Sequence, residues 1–333
     1  MARVPRRALG VAAAVAVVTL SACSPAQTLL GLHENTAVLS NSPAVTPGQA
    51  SAIATRAITQ AQRADALRTP AAAQSAYTGL ALTIAPARYV VEKVIDPAEP
   101  GGALAPVAQP SRVVVTAGRS FPRTVVAVWQ PDGAKTREAV LMKSTGVRTP
   151  FRVATRVGLL PGEVLPPTPA NTRGASVLAD DVGGLVATPR QAVADLAALL
   201  QTGTSPGTPF ASSVVVSEVR SKAAAQARDV TKVATFTQRH TARDDGTTVI
   251  RTADGGAVVF AAINRTDLFT VRKGAGVITP PPAYRALAAG LKTITRSATV
   301  TTVETVVLVV PARGHGSVRV IGFSEVPIAV KGS

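Results

Sequence analysis

Cysteine is almost missing from these 333 residues: Cys23 stands alone, so no disulfide can close within the chain. Histidine is nearly as scarce. His33, His240 and His315 lie far apart, in neither an H-E-x-x-H nor an H-x-H arrangement, and this excludes the common zinc-ligand spacings. Aromatics make up 3% of the chain, so the core must be built from Ala, Val, Leu and Ile, with Trp129 and the few phenylalanines as its large pieces. Nucleophile and phosphate-loop signatures are absent as well: there is no G-x-S-x-G, no Ser-x-x-Lys and no G-x-x-x-x-G-K-[ST]. Asp180-Asp181 ahead of Gly183-Gly184 has too few oxygen neighbours to hold calcium. The sequence predicts no metal and no cofactor, and it leaves any catalytic residue unknown.

What is present begins with charge. Arg3, Arg6 and Arg7 precede an uncharged run from Ala8 to Leu20, the layout of a secretory signal. That run is too short to span a membrane, which takes about 20 apolar residues. It ends in Leu20-Ser21-Ala22-Cys23, which resembles the lipobox of bacterial lipoproteins. The resemblance implies cleavage between Ala22 and Cys23, a diacylglycerol joined through a thioether to Cys23, and anchoring on the outer face of the cell membrane. One acyl chain holds only marginally, so the multiple chains matter. With 35 Lys and Arg against 19 Asp and Glu, the net charge is +16. A field of that sign attracts anionic lipid headgroups or phosphate-bearing wall polymers. Export and the scarcity of stacking aromatics exclude nucleic acid as the partner.

Residues 1–22 therefore read as signal peptide and 23–45 as lipidated cysteine and tether, with Asn35-Thr36-Ala37-Val38 as its first ordered stretch. The segment 46–162 reads as a first α+β domain. Thr46-Pro47-Gly48-Gln49 is a capping box, followed by apolar residues at helical spacing from Ile53 to Ala64. Thr69-Pro70 opens a second helix. Leu80, Leu82 and Ile84 alternate, and together with 89–95 they predict strand, broken near Pro86. A loop over 96–110 leads to strands at 112–116, 124–130, 137–144 and 151–160. Proline-rich residues 163–187 read as a linker.

The opening phrase then returns as Thr188-Pro189-Arg190-Gln191-Ala192, with Thr208-Pro209 predicting the next helix start. Strands are expected over 230–241, 247–251, 257–264, 268–272, 293–310 and 317–330, with a short helix at 282–290. The second domain is 188–333. Recurrence of the whole order predicts an internal duplication. The fold class is α+β: two tandem halves, each with N-terminal helices packed on a curved antiparallel sheet.

At this level the chain resembles a family of uncharacterised actinobacterial lipoproteins. The lipobox and Asn35-Thr36-Ala37 carry the resemblance, with Phe121-Pro122-Arg123-Thr124-Val125-Val126-Ala127-Val128 and Pro150-Phe151-Arg152-Val153. So do Leu159-Leu160-Pro161-Gly162 and the stretch Arg251-Thr252-Ala253-Asp254-Gly255-Gly256 with Ala257-Val258-Val259-Phe260. Each half is similar to the cone-shaped α+β fold of the nuclear transport factor superfamily, which hosts enzymes, binders and scaffolds alike. One polar cluster stands out: Arg239, His240, Arg243, Asp244 and Asp245 offer acid, base and electrophile if their turn faces a cavity. Three function classes follow. The first is a lipid-anchored, non-enzymatic binding or structural protein of the envelope. The second is a carrier of a lipidic or apolar ligand under a curved sheet. The third is a hydrolase built on the polar cluster.

Overall fold

The computed structural model describes residues 42–97, 107–288 and 290–333. The signal segment, Ala22, Cys23, His33 and the Asn35–Val38 stretch lie outside these residues. Helix α1 (Pro47–Leu67) starts as its sequence requires: Gln49 N donates to Thr46 Oγ1 at 3.3 Å, while the Gln49 side-chain Oε1 accepts from Thr46 N at 3.0 Å. Its buried face is Ala50, Ala54, Ala57, Ile58, Ala61 and Ala64. Five of those six are alanine, so the helix axis lies close to the sheet beneath. Thr69 caps α2 (Pro70–Ala76) in the same manner, accepting from Ala72 N at 3.2 Å.

The next segment corrects the sequence reading. Residues expected as strand form helix α3 (Gly79–Ile95), with Pro86 inside it. Leu80, Leu82 and Ile84 satisfy period two, but Leu80–Ile84 and Ala85–Tyr89 are also four apart, and tertiary contact chooses between the periods. Leu80 and Ile84 bury against Ala262 and Val303, whereas Ala85 and Tyr89 join the core under α1. Pro86 removes one helical donor, a cost outweighed by burying two faces.

The first sheet is an antiparallel meander of β1 (Arg112–Val115), β2 (Arg123–Trp129), β3 (Glu138–Ser144) and β4 (Arg152–Gly158). In the second half, α4 (Pro189–Thr202) begins at Thr188, whose Oγ1 accepts from Gln191 N at 3.2 Å. Thr208, expected to start the next helix, does not. Its hydroxyl donates to the buried Asp195 carboxylate at 2.6 Å and its N–H at 2.8 Å, and Ala211 N, the donor that a cap at Thr208 would take, goes instead to Val318 O at 2.9 Å. The helix α5 (Val214–Val230) begins further on and occupies the start of the expected strand 230–241. The second sheet follows the order β10-β9-β8-β7-β5, with β6 (Ala234–Ala242) also on β8. Here β5 is Val177–Leu178, β7 Thr248–Arg251, β9 Ser297–Val310 and β10 Arg319–Gly332. The strands predicted at 257–264 and 268–272 are one, β8 (Ala257–Val271), pairing with β7 at its start and β6 beyond. A short helix α6 (Pro282–Leu287) precedes β9.

The fold is α+β, and its layers run helix, sheet, sheet, helix. One core lies between α1–α3 and the first sheet, around Trp129, Met142 and Tyr77. A second lies between α4–α5 and the second sheet, around Leu196, Ile263 and Leu308. A third joins the outer faces of both sheets, with Val114, Val126 and Leu141 meeting Val258, Phe260, Val307 and Ile321. Each sheet is thus covered twice. This explains why β2, β3, β8 and β9 read as nearly continuous apolar runs despite antiparallel pairing, which usually leaves one face wet and alternating.

Backbone contacts stitch the halves together. Leu160 N donates to Ile321 O at 2.9 Å and Gly158 N to Ser324 Oγ at 2.9 Å. The segment 163–187 contributes Leu165 and Ala175 to the shared core, Leu185 to the second, and β5 to the edge of β7. At Gly174 (φ +78°) a side chain would come within 2.7 Å of Ala117 N.

Candidate functional site

Pairing register places one opening between the sheets. On the first sheet, Thr124 lies opposite Lys143 and Lys143 opposite Arg152. Residues directly opposite in a sheet share a face, and this row shares its face with Val114, Val126 and Leu141 of the core between sheets. It therefore forms a polar rim just beyond that core. From the opposing sheet comes Thr248, two residues before the core residue Ile250 on β7. Between the two rims is a cleft of about 520 Å³, within the usual range of ligand pockets. The loop Ser120-Phe121-Pro122-Arg123, with a cis bond before Pro122, closes one side.

Charge in the cleft has one sign. Among the described residues Lys143 and Arg123 line it, and no Asp or Glu does. Lys143 is half-buried, and burial pushes its ammonium below the usual lysine value. No carboxylate among the described residues pairs with it. Arg123 is held in place: Nε and Nη2 donate to Arg119 O at 3.2 and 3.1 Å, and its guanidinium lies 4.7 Å from the Phe121 ring centre. The Thr248 hydroxyl and Arg152 Nε are buried without hydrogen-bond partners. Sequence reading treated this loop as framework and passed over Lys143. The available signal was parity: Lys143 stands two residues from Leu141 on a strand, hence on the same inward face.

The polar cluster read from the sequence is divided. His240 turns inward and its side chain is fully buried, whereas Arg239 is exposed on the opposite face of β6. Arg243 and Asp245 pair with each other across the turn at 2.8 Å, and Asp244 is exposed. The inward partner of His240 is a residue that sequence reasoning missed, Glu304 on β9, also fully buried, with Oε1 3.3 Å from Nε2. That approach lacks hydrogen-bond alignment, and Glu304 Oε2 and Thr302 Oγ1 are likewise unpartnered. Arg265 covers the pair, reaching Glu304 at 3.2 Å, Asp267 at 3.1 Å and also Glu325. Burial alone would lower the Arg265 value, but the three carboxylates outweigh it and raise it. Neither His240 nor Glu304 lines the small pocket beyond, of about 110 Å³.

Above that polar layer, Phe269, Ile278, Tyr284 and Val300 line an apolar pocket of about 170 Å³. A third polar assembly lies under α3. Asp65 accepts from Arg88, from Arg156 at 2.8 Å and from the Tyr89 hydroxyl at 3.0 Å, and Glu138 holds Arg156 from the other side. Burial would raise the Asp65 carboxyl, but Arg88 and Arg156 together hold it below the usual range. The Tyr77 hydroxyl beside it is pushed up to about 12, first by burial. Asp180 pairs with Arg190 at 2.8 Å, while Asp181 is exposed. His315 sits in the turn between β9 and β10. Among the described residues no group of His, Cys, Asp and Glu is arranged to hold a metal ion, and no helix is long and apolar enough to cross a membrane.

Residues 41–332 match the family described as Domain of unknown function (DUF8094), and the chain belongs to it. No curated protein matches the chain, and no solved structure does.

Proposed function

We propose that this member of the DUF8094 family is an exported, lipid-anchored protein of the actinobacterial cell envelope that binds a ligand without catalysing a reaction. The observation that carries the binding reading is the 520 Å³ cleft between the sheets, whose cationic wall has, among the described residues, a lysine without an ion-pair partner and no Asp or Glu. The lipobox-like Leu20-Ser21-Ala22-Cys23, with Cys23 as the sole cysteine, supports anchoring through diacylglycerol and an extracytoplasmic place. General acid–base catalysis needs a base within reach of substrate. Arg265 covers Glu304, and Asp245 is engaged by Arg243, so a hydrolytic role for that cluster is disfavoured. The cone shape that each half brings to mind from sequence belongs to this proposal too, as does their origin by duplication.

The anchoring is tested by fractionating cells that produce the wild type or Cys23→Ser, and by mass spectrometry of the mature N-terminus. A mature chain starting at Cys23 with the mass of a diacylglyceryl group, and release of the variant from membranes, is the expected result. A different N-terminus, or a variant that stays equally membrane-bound, overturns it. A second reading, carriage of an apolar ligand, is favoured by the pocket around Phe269 and Tyr284. At about 170 Å³ it falls below the roughly 300 Å³ at which ligand pockets begin, so it suits a small apolar group rather than a whole lipid. Solvent extraction of purified protein followed by mass spectrometry checks it.

A further inference from the structure

The chemistry of the cleft wall narrows the ligand. A half-buried ammonium with no counter-ion among the described residues is costly, whereas three other partly buried cations, Arg88, Arg156 and Arg265, each contact two or more carboxylates. Lys143 is left out of that pattern, and its row neighbour Arg152 keeps an unpartnered Nε. Beside them Arg123 is clamped by a carbonyl and an aromatic ring, which lowers the ordering entropy of engaging an anion. The rest of the wall is hydroxyl-rich: Thr116, Ser120, Thr124, Ser176, Thr247 and Thr248. An apolar ligand would strand these groups. The Phe121 face is taken by Arg123, so no free stacking platform awaits a nucleobase. A bare inorganic anion would use the cations and leave most of a 520 Å³ space to water.

We infer that the cleft binds an anionic polyol, a sugar or glycerol unit carrying a phosphate or carboxylate, with the anion on Lys143 and Arg123 and the ligand hydroxyls against the threonines and serines. This inference rests on the reading of the protein as a binder, and it supplies the ligand class for that reading. Such a unit is the repeating chemistry of an anionic envelope polymer and also of a free metabolite, and one unit suffices to test recognition.

The experiment is titration calorimetry on the detergent-solubilised full chain with four probes: glucose 6-phosphate, glucuronate, glucose and inorganic phosphate. At least one of the two anionic sugars should bind with a Kd below 1 mM, tenfold or more tighter than phosphate, with no heat from glucose; which sugar binds decides between phosphate and carboxylate. Lys143→Met should weaken that binding tenfold or more, and raising salt should weaken it further. Thr248→Val, which replaces an unpartnered buried hydroxyl by a methyl group, should weaken it about threefold without lowering the melting temperature. Binding of glucose as tight as the anionic sugars, phosphate as tight as either, no binding of any probe, or unchanged affinity in Lys143→Met each overturns the inference. If Lys143→Met fails to fold, Thr248→Val and the probe ranking still decide. Cys23→Ser, which tests the anchor, leaves the cleft intact, so the anchoring reading and the ligand class fail separately.

Discussion

Replacing Asp65 by Asn should destabilise the first half by about 2–3 kcal/mol. The carboxylate, on α1, is the shared acceptor of two arginines and two tyrosine hydroxyls: Tyr77 just after α2, Arg88 and Tyr89 on α3, and Arg156 on β4. An amide keeps the shape but loses the charge, and it turns N–H groups toward donors that already point inward. Arg156 retains Glu138 at 3.0 Å, while Arg88 is left with Glu92 at 3.7 Å. Breaking a fully buried pair costs about 3–5 kcal/mol. The Asp65 side chain keeps 22% of its surface exposed, and the surviving partners recover part of the loss, which gives the lower figure. At about 2–4 °C per kcal/mol for a chain of a few hundred residues, the melting temperature should fall by roughly 4–12 °C. The pH dependence carries a sign. Asp65 is held below its unfolded value, so its stabilisation is present above about pH 4 and is lost as pH falls through the lowered folded value. Melts followed by far-ultraviolet circular dichroism at pH 7 and pH 3 should therefore show a large gap between the two proteins at pH 7 and a smaller one at pH 3. A variant melting within about 1 °C of wild type at pH 7, or a gap that widens on acidification, would refute the reasoning.

Gly174→Ala should cost more than about 2 kcal/mol, since φ is +78° and the new carbon would meet Ala117 N at 2.7 Å; a urea midpoint equal to wild type would contradict this. Asp195→Ala leaves the Thr208 N–H and hydroxyl buried without their acceptor and should cost about 2–4 kcal/mol by the same assay. Asp245→Ala removes an exposed ion pair with Arg243 and should shift stability by less than about 1 kcal/mol. Across a hydrolase substrate panel, Asp245→Ala and wild type should give equal or absent turnover; loss of activity in the variant alone would revive the hydrolytic reading.

Local signals were legible where one residue's chemistry decides the outcome. Thr46 and Thr188 cap helices because Pro follows each and each hydroxyl accepts from the backbone N–H three residues on; Gln49 completes a capping box at Thr46, whereas the Gln191 amide donates to Asp195 at 2.7 Å. Thr208 shares the following Pro but not the Gln, and a carboxylate thirteen residues upstream claims both its donors. The α3 segment was misread because alternation and helical spacing coincide over Leu80–Ile84, and the arbiters, Ala262 and Val303, are more than 170 residues away. The continuous strand at Ala257–Val271 reads as two because the polar run 265–267 interrupts its apolar pattern; Arg265 and Asp267 belong to a charge layer around the buried Glu304. The cleft was hidden for a related reason. Its two rims come from β3 and β7, more than a hundred residues apart, and only the stacking of the sheets brings them together.

That stacking ties the evolutionary fates of the two halves. Leu141 has no solvent-facing alternative into which it can grow or shrink, because Phe260, Val307 and Ile321 belong to the same packed interior. A drift in side-chain volume on one side must be answered on the other. Neighbouring strands within a sheet can adjust locally, but across this seam substitutions should be inherited in matched pairs, as they would be between subunits of an obligate dimer fused into one polypeptide.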